Sequence, residues 1–565
     1  MLKLLKHIGE YKKYTFFSIL VMMLEAATDF VAPFVFSVLI DDGLIEGKKA
    51  IIKYSICYAS LSLFSLFFGI LGAKFSALAS TGLARNLRKE LFNKIQDFSS
   101  NNINKFSNSS LITRLTYDVK NIQNVFSRLT RSGARAPCMM IGAFIMAVII
   151  AKKLSIIFVI AAPILLIMVL LIVYFTYQKM KKLFKQTDEI NLIVQENLSN
   201  IRFIKSFVRE KKEITKFQKI SNDFRKTQKF TEKIFALLEP TQEFAVNLCI
   251  LFITYLGAKY VIKGEMKIGQ VSAFLVYTYQ ILAQLKSVSV ITMDYSISLP
   301  SIIRINEIFD EKINIKDNIN ELRLKDGSIE FKNVNFAYDK KLILKGINLI
   351  INDGETIGII GGTASGKSTL VQLLPRLSDV SSGEIVIGKN DVKKYRLKYL
   401  REQVAMVLQK NVLFSGTIRE NLLWGNERAN DSDLIKVCKQ VQAMEFIEKL
   451  PNGFDTYLER DATNLSGGQK QRLCIARALL KNPKIIILDD SMSAVDMVTD
   501  AKIRKVFKEE LSHMTKIIIA QRVLSICDAD KIVVMERGVI KGIGKHEELL
   551  KKNEIYKEIC SSQEK

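Results

Sequence analysis

The chain has 565 residues, 48% of them apolar, a mean hydropathy of +0.15 and a formal net charge of +25 at pH 7. That length exceeds one ordinary domain and that apolar content is high for a soluble enzyme, which excludes a small soluble module. The positive charge is spread along loops without aromatic interleaving, which argues against a nucleic-acid partner and for contact with anionic lipid.

The apolar residues concentrate before residue 300. Six stretches approach the roughly 20 residues that a bilayer crossing needs: Phe16 to Leu39, Ile56 to Leu78, Ala136 to Ile150, Leu154 to Tyr174, Phe235 to Leu256 and Val271 to Ile291. The third is short and is soon followed by Lys152 and Lys153. The first is too long for a signal-peptide core and lacks a small-residue cleavage pattern, so it is expected to remain as a helix. Acids accompany the spans: Glu25 and Asp29 four apart in the first, Glu239 and Glu243 four apart near the fifth, and Asp294 just past the sixth. A spacing of four puts each pair on one helix face, and acids at membrane depth usually face a cavity or a partner. Glu25, Asp29, Glu243 and Asp294 are therefore candidates to line a substrate cavity. The fifth-span pair and Asp294 read equally well as parts of cytoplasmic helix extensions, and Asp29 as a structural acceptor.

Lys3 to Lys13, Thr81 to Arg135 and Gln178 to Lys233 are rich in Lys and Arg, which marks the cytoplasmic side. Within the two long segments, Ser109 to Val119 and Ile201 to Glu210 pair capping residue types with apolar residues three and four apart, predicting amphipathic helices. Glu311 to Gly327 is polar and lacks an apolar stripe. It reads as a linker between a membrane domain, 1–310, and a second domain, 328–565.

In the second domain Ile329 to Ala337 alternates as a strand and runs into Tyr338. Thr356 to Ile360 suits a buried strand, and a helix opens at Ser368 and continues through Thr369, Leu370 and Leu373. Between them stand Gly361, Gly362, Thr363, Ala364, Ser365, Gly366 and Lys367. Such glycines let backbone N–H groups turn inward around β- and γ-phosphates at a helix N-terminus, where the dipole favours anions. Lys367 would reach the phosphates and Ser368 would hold Mg²⁺. A second apolar strand, Ile485 to Leu488, leads to Asp489, at the end where parallel sheets present ligand groups. That acid can orient the water shell of the magnesium. The seven cysteines show no ligand spacing, so neither disulfides nor zinc are expected.

Leu465, Ser466, Gly467, Gly468 and Gln469 match without change the signature motif of the ATP-binding-cassette (ABC) family, which the chain resembles over essentially its whole length. The resemblance implies an α-helical membrane domain of six transmembrane helices, of exporter type, fused to an α/β P-loop ATPase domain with a helical subdomain. It also implies ATP and Mg²⁺ as cofactors, and ATP sites that form only when the signature of one nucleotide domain closes over the P-loop of another. On the same ground Tyr338 matches the aromatic that stacks on adenine, and Gln409 the glutamine loop, placed with Ser368 and Asp489 around magnesium. Ser493, Ala494, Val495 and Asp496 match the loop linking the two sites. The amphipathic cytoplasmic helices resemble coupling helices, which dock on nucleotide domains.

Three positions depart from the family pattern. The general base, a glutamate after the magnesium acid, is here Asp490. The switch histidine that contacts the γ-phosphate is Gln521. Ala364 replaces a usual glycine. A carboxylate retracted by about 1 Å loses reach to the water it activates, and an amide neither carries charge nor shuttles protons as imidazole does. His7, His513 and His546 are the only histidines, and His513 precedes the strand that ends before Gln521. Two departures at coupled catalytic positions suggest one cause, a heterodimer of half-transporters with one slow site. The expectation is a subunit of a bacterial heterodimeric exporter in the cytoplasmic membrane, N-terminus and ATPase inside, contributing the slow ATP site and the intact signature of the site of its partner. Its cargo would be a small amphipathic compound, with a cationic amphiphile favoured by an acidic, aromatic-lined cavity. The alternatives are a homodimeric exporter with slow hydrolysis, or a regulatory protein gated by ATP.

Overall fold

A computed structural model describes residues 1–563 apart from Leu2, Lys316, Glu321, Asp339, Lys340 and Ser493; the side chains of Leu44, Asn104, Phe235, Leu238, Glu239 and most of 162–184 are likewise outside the description. The chain divides into two compact units, one of Met1–Gln96 and Ser107–Glu311, the other of Asp97–Phe106 and the residues from Lys312 onward.

The first unit is helical: α1 (Lys12–Glu46), α2 (Lys48–Gln96), α4 (Asn108–Thr113), α5 (Val119–Ile150), α6 (Ile156–Ser199), α7 (Ile201–Ser206), α8 (Glu210–Ala236), α9 (Leu238–Ile262) and α10 (Ile268–Asp310), with α3 (Ser100–Phe106) assigned to the second unit. Five stretches among the described residues are long and apolar enough to cross a membrane: Leu4–Gly43, Lys48–Gln96, Asn108–Ile150, Pro240–Ile262 and Ile268–Asp310. The fourth predicted span falls largely in α6, where many of the side chains lie outside the described residues. At 1.5 Å per residue, the 49 residues of α2 extend about 70 Å, more than twice a bilayer core of about 30 Å. Span and basic segment are thus one continuous helix, because nothing in the stretch after Leu78 breaks it.

The amphipathic helix predicted from Ser109 to Val119 is interrupted. The Oγ of Ser107 accepts from the Ser110 N–H and caps α4, and a π-helical turn, Arg114–Asp118, then resets the chain into α5. This turn aims Asp118, fully buried, at α10, where it accepts from Arg304 Nε at 2.7 Å and Ser301 Oγ at 2.8 Å. Arg114 adds a 2.9 Å ion pair with Glu307. The segment between the first spans that belongs to the second unit lies earlier, at α3, whose last residue Phe106 stacks on Phe98, both rings buried. Asn102 of α3 donates to the Lys312 carbonyl at 3.1 Å. Periodicity missed it because the sequence SNNINKF carries no apolar stripe.

In the second unit β1 (Ile329–Tyr338), β2 (Lys341–Ile351), β4 (Ser382–Ile387) and β5 (Asn390–Asp391) form an antiparallel sheet in the order β2-β1-β4-β5. A six-stranded sheet has the order β12-β11-β3-β10-β9-β6, from β3 (Thr356–Gly361), β6 (Val404–Val407), β9 (Ile485–Asp489), β10 (Thr515–Ile519), β11 (Lys531–Glu536) and β12 (Val539–Gly544); β7 (Gly416–Thr417) and β8 (Tyr457–Leu458) form a separate pair. Within the six, β11, β3, β10, β9 and β6 are parallel. Strands covered on both faces read as continuous apolar runs, and every residue of β9 and β10 is buried. The register sets Ile359, Asp489 and Ile519 at one level, so β3, β9 and β10 release their following loops on the same edge.

Replacing Asp118 by Ala strands the Arg304 guanidinium and Ser301, which should cost about 2 to 3 kcal/mol, as expected for hydrogen bonds to a charged group. Removing Arg85 from its pair with Glu10, both exposed, should cost almost nothing, because water and salt screen the pair. Thermal melting of the solubilised chain should show a clear drop for Asp118→Ala and almost none for Arg85→Ala.

Candidate nucleotide site

After β3 the chain turns through Gly361 to Gly366 and enters the helix Lys367–Gln372. Gly366 has φ 96°, a left-handed conformation, and a Cβ there would lie 2.9 Å from the Leu344 side chain. Ala364 also sits at positive φ, 60°, where the glycine usual in this motif would be unstrained. Gly362, Thr363 and Ala364 are exposed, whereas Ser365 and Gly366 are buried and Thr369 is half-buried. Lys367 folds its ammonium over the loop and donates to the carbonyls of Gly361 and Gly362, both at 2.8 Å, and to Ser365 Oγ at 3.2 Å. Burial lowers its pKa, opposed by Asp489 and Asp490.

The β9 edge faces this loop. Ser368 Oγ donates to Asp489 Oδ1 at 2.9 Å, so a hydroxyl and a carboxylate meet at the start of the helix. Burial raises the pKa of Asp489; the Ser368 hydrogen bond and Lys367 counter it, while neighbouring Asp490 adds to it. Among the described residues no cluster of three His, Cys, Asp or Glu side chains exists to cage a metal. A hydroxyl beside one carboxylate instead fits Mg²⁺, which keeps several waters and takes its remaining oxygens from substrate phosphates.

Asp490 turns away at φ 49°, its N–H donating to the Ile519 carbonyl at 3.0 Å. Its carboxylate accepts from Gln521 Nε2 at 2.7 Å and from Gln409 Nε2 at 3.4 Å. Burial raises its pKa, and the hydrogen bonds from Gln409 and Gln521 work against that. Gln409 thus reaches Asp490, the residue after the one it was expected to join around magnesium. His513 lies before β10 and Gln521 after it, at opposite ends of the strand; His7 contacts Glu90, and His546 the Tyr556 hydroxyl. Tyr338 closes β1, half-buried and edge-on to Phe336 at 4.9 Å.

Leu465 to Gln469 lead into the helix Gly467–Leu480. Ser466 caps it: Ser466 N–H donates to Gln469 Oε1 at 2.8 Å and Gln469 N–H to Ser466 Oγ at 3.3 Å. A Cβ on Gly468 would lie 2.9 Å from the Ala494 carbonyl, so the signature abuts the loop of Ala494, Val495 and Asp496, whose Asp496 caps the helix Met497–Glu509. Ser493 lies outside the described residues. The signature and the phosphate loop share no hydrogen bond among the described residues.

Three of the four candidate membrane acids are paired with arginine. Arg135 of α5 contacts both Glu25, at 3.4 Å, and Asp29, and Ser65 donates to Asp29 at 2.6 Å. Asp29 lines a cavity of about 460 Å³ with Phe36, Tyr58, Ser65 and Gln280. Asp294 pairs with Arg128, and Glu243 is exposed. Sequence reasoning had no access to Arg135, which sits 106 residues from Asp29. It also overlooked Gln563, which hydrogen-bonds the backbone on both sides of Arg522.

Residues 15–285 match the ABC transporter transmembrane region and residues 344–493 the ABC transporter model. The chain is 34% identical to the ABC transporter ATP-binding protein YfiB of Bacillus subtilis, itself uncharacterized, over 100% of this chain and 98% of YfiB. It is 29% identical to the ATP-dependent lipid A-core flippase of Wigglesworthia glossinidia brevipalpis, over 98% of this chain and 96% of the flippase. The fold superposes on the structure of a bacterial Atm1-family ABC exporter with ATP bound with a TM-score of 0.86 and 25% identity, covering 98% and 99% of the two chains. A membrane region and an ATPase region, in that order and matched end to end by such relatives, place this multi-pass membrane protein among the ABC transporters as an exporter-type half-transporter.

Proposed function

We propose that this chain is the slow-site subunit of a heterodimeric exporter that moves a small amphipathic compound out of the cytoplasm or the inner leaflet of a bacterial cytoplasmic membrane. The hydrogen bond from Gln521 to Asp490 carries this reading. The two positions that should supply a base and a γ-phosphate contact instead satisfy each other at 2.7 Å, while the signature is intact.

In this reading the N–H groups of Gly362 to Ser368 cradle the β- and γ-phosphates, Lys367 exchanges its loop carbonyls for phosphate oxygens, and Tyr338 stacks on adenine. Ser368 and Asp489 would hold Mg²⁺, with Gln409 close by; bound, the ion supplies positive charge against the phosphate oxygens. Asp490, one methylene short of a glutamate and holding two amide donors, is poorly placed to take a proton from water. Gln521 can donate to a γ-phosphate but cannot carry charge. Leu465 to Gln469 would close over ATP on a partner chain, with Ser493 to Asp496 linking the two sites. Basic cytoplasmic segments orient the N-terminus and the ATPase inward.

The cavity beside Asp29 offers an amide, hydroxyls and aromatic rings. With Arg135 paired to both carboxylates, it suits an amphipathic molecule through hydrogen bonds and ring faces more than through net negative charge.

Purified alone, the chain should bind ATP with Mg²⁺ and hydrolyse it very slowly. Asp490→Glu with Gln521→His should raise turnover by at least about tenfold, by more than the product of the single changes, because base and switch act as a unit. Brisk hydrolysis by the native chain contradicts the reading.

In the co-expressed pair, Ser466→Arg should abolish ATP turnover, whereas Lys367→Ala should reduce it less. ATPase assays on each pair decide this, and equal losses would mean two equivalent sites, as in a homodimer.

A further inference from the structure

The helix Glu554–Gln563 closes the described chain against the ATPase core. Tyr556 is fully buried and Cys560 nearly so, with Ile555 and Ile559 packed beside them. Asn553 Oδ1 accepts from the Tyr556 N–H at 2.9 Å, and the Tyr556 hydroxyl meets His546 Nδ1 at 2.7 Å. The helix is therefore anchored at its start and middle. Gln563, three residues beyond Cys560, lies on the same face.

Its amide is fully used. Gln563 Nε2 donates to the Gln521 carbonyl at 2.6 Å, and Gln563 Oε1 accepts from the Val523 N–H at 2.8 Å. One side chain thus ties down the C=O and the N–H on either side of Arg522, in the turn leaving β10, where Gln521 and Arg522 are exposed and Val523 is buried. The same Gln521 donates its own amide to Asp490. An unbroken path runs from the terminal helix through Gln563 and the Gln521 backbone to the carboxylate beside the magnesium acid.

We infer that Gln563 is a positioning residue for the switch loop: it fixes the backbone at 521–523 so that the Gln521 amide stays aimed into the nucleotide site. This rests on the ATP-site reading above. Val523 is held by the core, so without the tie it is the exposed Gln521 and Arg522 that sample more conformations, and ordering them when the γ-phosphate arrives costs affinity for ATP but not for ADP, which lacks that group. Two neutral hydrogen bonds correspond to roughly a tenfold effect on binding.

The test is calorimetric titration of the purified full-length chain with Mg·ATP and with Mg·ADP. Gln563→Ala should weaken ATP about tenfold and change ADP by less than about twofold, with an unchanged melting midpoint. Gln521→Ala should do the same, and the double variant should lose no more than Gln521→Ala alone, because Gln563 acts through that loop. Equal loss of ATP and ADP would reveal a merely structural helix contact and overturn the inference, as would unchanged ATP affinity or additive losses in the double variant. Lys367→Ala should lose both nucleotides. If it binds both as the native chain does, the ATP-site reading itself fails, and the inference with it.

Discussion

The common edge on which β3, β9 and β10 release their loops is the constraint on which the site depends. Ile359, Asp489 and Ile519 are aligned across three parallel strands, and each strand is followed at once by a loop bearing chemistry: the phosphate loop, Asp490, and Gln521. A one-residue slip of β9 would exchange Asp489 with Leu488 and turn the carboxylate into the core. Ile517 to Ile519 of β10 on one side of β9, and Val404, Ala405 and Val407 of β6 on the other, are buried and fix that register by packing, so core and site are determined by the same pattern of side chains.

Within that frame the local backbone is strained where ligand groups converge. Ala364 and Asp490 both adopt left-handed conformations, which cost a non-glycine residue on the order of 1 kcal/mol each. Asp490 is held there by its N–H bond to Ile519 and by two glutamine amides. Such strain persists where the surroundings over-determine it.

What the sequence made legible follows from locality. The phosphate loop, the signature and the acid after β9 are short strings whose chemistry depends on neighbours one to eight residues away, and flanking apolar runs supply their strands and helices. The long membrane helices were legible as apolar runs, although α2 and α5 continue well past the apolar limits of their spans, because charged residues do not stop a helix. What stayed hidden is non-local. Arg135 reaches Glu25 and Asp29 across more than a hundred residues, Asp118 reaches Arg304 across 186, and Gln563 reaches Gln521 across 42. Nothing in the composition of SNNINKF marks α3 as the segment that belongs to the ATPase unit, whereas the amphipathic stretch after Ser109 has the right periodicity and stays with the membrane unit.

The central claim is that this chain retains ATP while a partner cycles. It is tested most directly by letting the purified pair turn over ATP carrying a photoreactive group on the base, irradiating, separating the chains and determining by mass which nucleotide each carries. The account predicts intact triphosphate attached to this chain and diphosphate to its partner. Diphosphate on both chains in equal amounts would contradict it.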